Sequence, residues 1–234
     1  MKLNIFLNRW VIFATILLLI GVLSVNTVYP VPVIADSPHY TSAVYWGPVD
    51  VDPENPPALG DPVTGASSQL VVNNNGVSMN IKTHTLDSGA AYTSWWVVFN
   101  EPGECKHGVP GVSQCGEEDL PPFGGDPAVD ASTLFAAGHV IGDNGKGNFA
   151  SRLKFGDTTR AVFGPGLREV DDAVEIHVVV RSHGPPLPGL VNQQISTLHG
   201  GCVSAPSDPD APDILGDPGE NICISQQFAV FQLP

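Results

Sequence analysis

A chain of 234 residues carrying 24 Asp and Glu against 10 Lys and Arg has a formal charge of −14, and such a surface repels nucleic acid and anionic membrane, so neither is an expected partner. Its 25 glycines and 22 prolines lack the three-residue period of collagen and punctuate short Val, Ile, Phe and Trp segments, which excludes a fibrous or mainly helical chain and reads as antiparallel β. The acidic excess favours solubility, divalent cations or a basic partner.

Lys2 and Arg9 precede an apolar run from Trp10 to Val25, and Val33-Ile34-Ala35 follows it. A basic start, an apolar middle and small or aliphatic residues before a break are the parts of a secretory signal, so residues 1–35 are read as a signal peptide cleaved after Ala35. A retained anchor is the alternative, because the run is long for a signal yet short of the roughly 20 residues of a spanning helix. The expected setting is secreted or cell envelope, with no stable membrane span once the signal is removed. About 200 residues remain, enough for one domain with a real core.

Residues 36–66 are rich in proline and acid and read as an extended arm or edge segment that lies over the sandwich through Tyr45 and Trp46, with the domain proper at 67–234. Ser67 to Asn73 and Val77 to Lys82 alternate around Asn74-Asn75-Gly76, which predicts a hairpin. Tyr92 to Phe99 becomes apolar on both faces and predicts a strand covered on both sides. Its paired Trp95 and Trp96 read as core rather than as a carbohydrate platform. Asn100 to Asp130 is a long loop. Leu134 to Ile141 and Asn148 to Phe155 flank the turn Gly142 to Gly147, and Arg160 to Phe163 is a short strand. Ala173 to Gly184 is the clearest alternating strand, Pro185 to Gly201 a connection with one helical turn near Val191 to Ser196, and Gln227 to Leu233 the last strand. The fold class predicted is all-β, an antiparallel β-sandwich of about eight strands with long disulfide-closed loops.

Cys105, Cys115, Cys202 and Cys223, an even number in an exported chain, read as two disulfides, with three pairings open. Pairing of neighbours would close two loops rich in glycine and proline and contribute roughly 3 kcal/mol each. A zinc site is the weaker alternative, since no Cys-x-x-Cys or Cys-x-x-His pair occurs.

The chemistry concentrates on the strand Ala173 to Gly184. Val174, Ile176, Val178 and Val180 form an apolar face. Glu175, His177, Val179, Arg181 and His183 form the other, ending at Gly184-Pro185-Pro186, where loops commonly carry binding groups. Glu175, His177, Arg181 and His183 are therefore the candidate ligand-binding residues. No cofactor is predicted outright. A transition metal held by His139, His177, His183 or His199 is the alternative, although His177 and His183 stand about 20 Å apart along an ideal strand. Ser182 has no histidine on its own face and no Gly-x-Ser-x-Gly elbow exists, so a serine hydrolase is not expected. Asp208, Asp210, Asp213, Asp217 and Glu220 could ligate calcium, but without EF-hand spacing, and a solvated acidic loop is the plainer reading.

The series HTLDSGAAYTSWWVVFNEPGEC, LFAAGHVIGDNGKGNFASRL and VEIHVVVRSHGPPLPGL resembles uncharacterised exported bacterial proteins without assigned activity. The order of features from Leu70 to Gly184, a strand before a Gly-x-x-Tyr turn and a later Ile-His strand followed by His-Gly-Pro, is similar to the chordin-type repeat, an all-β extracellular module. The chain departs from that pattern where closely spaced histidines would stand, because Val178 to Arg181 intervene. The function expected is a non-enzymatic module that binds an extracellular or envelope partner or ligand near His177, Arg181 and His183. The alternatives are a metal-dependent enzyme using the histidines and a calcium-dependent adhesive or structural protein.

Overall fold

The structure, a computed structural model, describes residues 37–47, 60–169, 173–206 and 212–234. The signal segment 1–35, the middle of the arm, Asp208 and Asp210 lie outside the described residues.

Ten strands form two antiparallel sheets among the described residues. In chain order they are β1 (His39–Ser42), β2 (Tyr45–Trp46), β3 (Ser67–Asn73), β4 (Gly76–Thr83), β5 (Ala91–Phe99), β6 (Ala131–Val140), β7 (Gly147–Lys154), β8 (Ala161–Phe163), β9 (Val174–Ser182) and β10 (Ile224–Leu233). A four-stranded sheet runs β1-β3-β4-β7, and a six-stranded sheet runs β2-β10-β9-β5-β6-β8. One short helix, α1 (Val191–Gln194), occupies the connection where a helical turn was expected. No helix among the described residues is long and apolar enough to cross a membrane.

The strands beyond the eight expected come from the segment read as an arm. β1 pairs with β3, placing Tyr40 opposite Leu70, and β2 pairs with β10, placing Tyr45 opposite Phe228. Short segments of this kind occupy sheet edges that would otherwise expose unpaired backbone groups. The hairpin β3-β4 turns through Asn74 and Asn75 to Gly76, whose φ of +139° and close approach to Leu153 leave no room for a side chain.

The alternation of each strand explains the core. Leu70, Val77, Met79, Ile81 and Phe149 from one sheet and Tyr92, Trp96, Val98, Ile176, Val178 and Phe231 from the other belong to one cluster of buried side chains. Each such side chain contributes about 1.5 to 3 kcal/mol by leaving water. Thr83 at the end of β4 hydrogen-bonds Gln227 of β10 and so ties the two sheets together inside this core.

β5 is buried at all nine positions, and its two faces meet different partners. Tyr92, Trp96 and Val98 face the core, whereas Val97 and Phe99 join a second cluster with Cys115, Leu120, Val129 and Ala131 on the outer side. That second cluster is the underside of the loop 100–130. Cys105 pairs with Cys115 and Cys202 with Cys223, which is neighbour pairing. Two disulfides point to a non-reducing setting. Replacing Cys105 and Cys115 together by serine is expected to lower stability by about 3 kcal/mol. A fall in the urea midpoint would report it, and an unmoved midpoint would contradict it.

Candidate ligand groove

The outward face of the six-stranded sheet carries the chemistry. On β9, Glu175, His177, Val179 and Arg181 point away from the core. Their cross-strand partners on β5 are Phe99, Val97, Trp95 and Thr93. Residues directly opposite across a pair of strands share a face, so aromatic and charged side chains stand side by side here. The loop 100–130 folds over one side, and Leu198, His199 and Leu215 border the other. Between them lies a groove of about 860 Å³. Trp95, Val97, Phe99, Phe163, Val179 and Phe228 supply apolar wall, and His177, Arg181 and His199 supply polar atoms. A smaller hollow of about 240 Å³ lies against β6 and β7 beside Arg152, Asp157 and Arg160.

Glu175 anchors the groove rather than serving a ligand. Its side chain is fully buried, and its two oxygens accept from the backbone N–H of Gln114 at 2.8 Å and of Cys115 at 3.0 Å, from Gln232 Nε2 at 3.1 Å and from His177 Nε2 at 2.7 Å. The expectation that Glu175 meets a ligand is thus corrected: its acceptor sites are occupied, and they pin the disulfide loop onto the sheet. Burial pushes its pKa up, but the His177 hydrogen bond and charge and the two loop N–H groups outweigh that and hold it below the ordinary 4.5. Asp119 repeats the device within the loop, accepting from the backbone of Lys106, His107 and Gly116 and from His107 Nδ1.

His177 lines the groove, its ring centroid 5.0 Å from that of Phe99 in an edge-to-face arrangement. Arg181, two residues further along the same face, is half-buried. Its Nε donates to Leu198 O at 3.0 Å and its Nη2 lies 3.5 Å from His199 Nδ1. Burial pulls the guanidinium pKa down, and Glu117 at the groove rim opposes this. No carboxylate forms an ion pair with Arg181 among the described residues. His199 is also lowered, by burial first and then by Arg181, which suits a neutral ring accepting from the guanidinium.

His183 is placed elsewhere. It is fully buried, and Nδ1 lies 3.0 Å from Gly200 O, an atom that only accepts, so Nδ1 carries the proton. Nε2 then accepts from the Thr93 hydroxyl at 2.8 Å, and Thr93 Oγ1 accepts from Trp95 Nε1 at 2.7 Å. The expectation of His183 as a ligand-binding or metal residue is corrected, since both ring nitrogens are committed. Burial is the main cause that pushes its pKa to about 4, so it is neutral at physiological pH.

The four histidines do not gather. His139 sits opposite Tyr92, faces the core and stacks on Phe149 at 4.6 Å, while His177 occupies the other side of the sheet. Two groups among the described residues bring three ligand-type side chains within 4.8 Å: His183 with Cys202 and Cys223, and Asp119 with Cys105 and Cys115. Each includes both sulfurs of a disulfide, and a disulfide sulfur is not a thiolate donor. Of the calcium candidates, Asp213 opens a 3-10 turn, and the Asp217 carboxylate accepts from Gln193 Nε2 at 2.6 Å.

No family model, curated protein or solved structure matches this chain.

Sequence reasoning reached His177 and Arg181 but assigned Trp95, Val97 and Phe99 to the core. The alternation that placed the β9 residues applies equally to β5, and it sends Trp96 inward and Trp95 outward. Phe163 and Phe228 come from distant strands, and no local pattern joins them to β9.

Proposed function

We propose that the protein is an exported, non-enzymatic binding module of the extracellular space or cell envelope. It takes a small, largely apolar molecule in the groove, body against Trp95, Val97, Phe99 and Val179, polar end at Arg181. The carrying observation is one guanidinium that forms no ion pair among the described residues, set against the apolar wall of a groove of about 860 Å³ whose lining also holds His177, His199, Glu117 and Glu118. Small-molecule sites have this make-up, with apolar walls, few convergent polar groups and volumes of about 300 to 1,000 Å³. A half-buried cation costs free energy unless paired, which favours an acceptor or anion at the polar end of the ligand.

A binding role is supported further by how the titratable groups are used. Glu175 is held by four donors and His183 by two partners, which leaves neither poised to move a proton. A metal-dependent enzyme would need imidazoles converging on one point, whereas His139 and His177 lie on opposite faces of the sheet.

The test uses 8-anilinonaphthalene-1-sulfonate, an apolar anion whose fluorescence rises out of water. Val179→Trp, which fills the groove, is expected to weaken its binding at least tenfold without lowering the melting temperature. Arg181→Met removes a charge-assisted hydrogen bond and is expected to weaken it about tenfold or more. Binding curves identical to wild type in both variants would refute the reading.

A further inference from the structure

Two opposite charges line the groove and do not pair. Arg181 projects from β9, and Glu117 opens the 3-10 turn Glu117–Asp119 of the loop 100–130, standing at the rim, part open to water and part in the groove wall. They form no ion pair with each other or with any other described residue. Separate ties hold them on opposite borders. Arg181 Nε donates to Leu198 O and Nη2 faces His199 Nδ1, which leaves the Nη1 amino group without a partner among the described residues. On the other border the turn is fixed from both sides: Glu175 accepts from the Cys115 N–H, and the Asp119 carboxylate accepts from the N–H groups of Lys106, His107 and Gly116.

Both charges have given up water without gaining a charged partner. Burial, then Glu118, pushes the Glu117 carboxyl above its ordinary pKa, and burial pulls Arg181 down, while each of the two opposes the other's shift. An anionic ligand group meets Arg181 but is repelled by Glu117 and Glu118, and an ammonium meets Glu117 but is repelled by Arg181. An amide edge, with a C=O acceptor and an N–H donor side by side, serves both and adds no charge. The histidines at the groove do not change this balance, since His177 bonds Glu175, His107 bonds Asp119 and His199 faces the guanidinium.

We propose that the polar end of the ligand is a neutral carboxamide or lactam edge, its C=O accepting from Arg181 and its N–H donating to Glu117, and that Glu117 selects it over an anion of the same shape. This choice of ligand rests on the groove being the binding site and narrows what the groove takes. The apolar body keeps its place against Trp95, Val97 and Phe99. Glu117 acts as a specificity residue, since a carboxylate fixed beside the guanidinium lowers the affinity of every anion while it rewards a donor. The sulfonate dye is such an anion, so Glu117→Gln is expected to tighten it about threefold or more.

The test is displacement of that dye from the full chain at neutral pH by the carboxamide, carboxylate and aminomethyl derivatives of naphthalene, all substituted at the same carbon. The carboxamide is expected to bind about tenfold or more tighter than either charged probe. Glu117→Gln is expected to cut its advantage over the carboxylate to about twofold or less, chiefly by strengthening the carboxylate. Glu104→Gln, which removes an equal charge from an exposed site of the same loop outside the groove, is expected to leave the preference unchanged. Tighter binding of the carboxylate or the amine, displacement by none of the three, a preference that survives Glu117→Gln, or one that falls equally in Glu104→Gln overturns the proposal while the groove stands as a binding site. Dye binding indifferent to Val179→Trp overturns the groove itself and this assignment with it.

Discussion

Glu175→Ala is expected to lower stability by about 3 to 5 kcal/mol and to abolish probe binding in the groove. The residue is wholly buried and gathers two backbone donors from the loop 100–130, the His177 ring and the Gln232 amide. Removing the carboxylate strands all of these at once, and each buried donor left unpaired costs about 1 to 3 kcal/mol before any relaxation. The loop then loses its tie to β9, and with it one wall of the groove. Glu175→Gln keeps the volume but turns an N–H donor toward a backbone N–H, so an intermediate loss is expected. The pH dependence has a definite sign. The folded pKa lies below the ordinary 4.5, so this contribution is present above 4.5 and is lost as pH falls through the folded value. Urea unfolding of the three proteins at neutral pH measures the effect. Stabilities within about 0.5 kcal/mol of one another would show that the loop does not rest on Glu175.

The second large effect belongs to His183. Its pKa of about 4 against an ordinary 6.5 means that the unfolded chain takes up a proton at a pH where the folded one does not. Stability from the neutral ring is therefore full above pH 6.5, declines as pH falls toward about 4, and is then exhausted, amounting to about 3 kcal/mol. His183→Gln retains an acceptor for Thr93 and a donor for Gly200 but does not titrate. Melting temperatures between pH 4 and 7 are expected to fall more steeply for wild type than for this variant. Parallel curves would contradict a buried neutral His183.

These two residues also mark how far the sequence could be read. The alternation of β9 placed Val174, Ile176, Val178 and Val180 in the core correctly, because a strand has a fixed period whatever it packs against. The same rule put Glu175 and His183 on the outer side with His177 and Arg181, and it could go no further. Whether an outward side chain meets a ligand or is consumed by the protein depends on the loops that cover it. The Gln114 and Cys115 amides seal Glu175, and Gly200 closes on His183 from a segment with no pattern to predict it. β1 and β2 lie in the stretch read as an arm or edge segment, and their pairing as strands was not legible for a related reason. Their residues read as a proline-rich arm, and only the open edges of β3 and β10 make them strands. The apolar run at the end of Tyr92 to Phe99, on both faces, correctly signalled cover on both sides. It hid that the outer cover is a loop, with the groove alongside it.

The most direct test of the groove is a 1H–15N spectrum that resolves the Trp95 and Trp96 indole N–H signals during titration with 8-anilinonaphthalene-1-sulfonate. Trp95 lines the groove, while Trp96, its neighbour in sequence, is buried on the opposite face of the same strand. A saturable shift of the Trp95 signal with Trp96 unmoved is the predicted result. A shift of neither signal, or of Trp96 alone, would mean that the outer face of the six-stranded sheet is not where this protein binds its ligand.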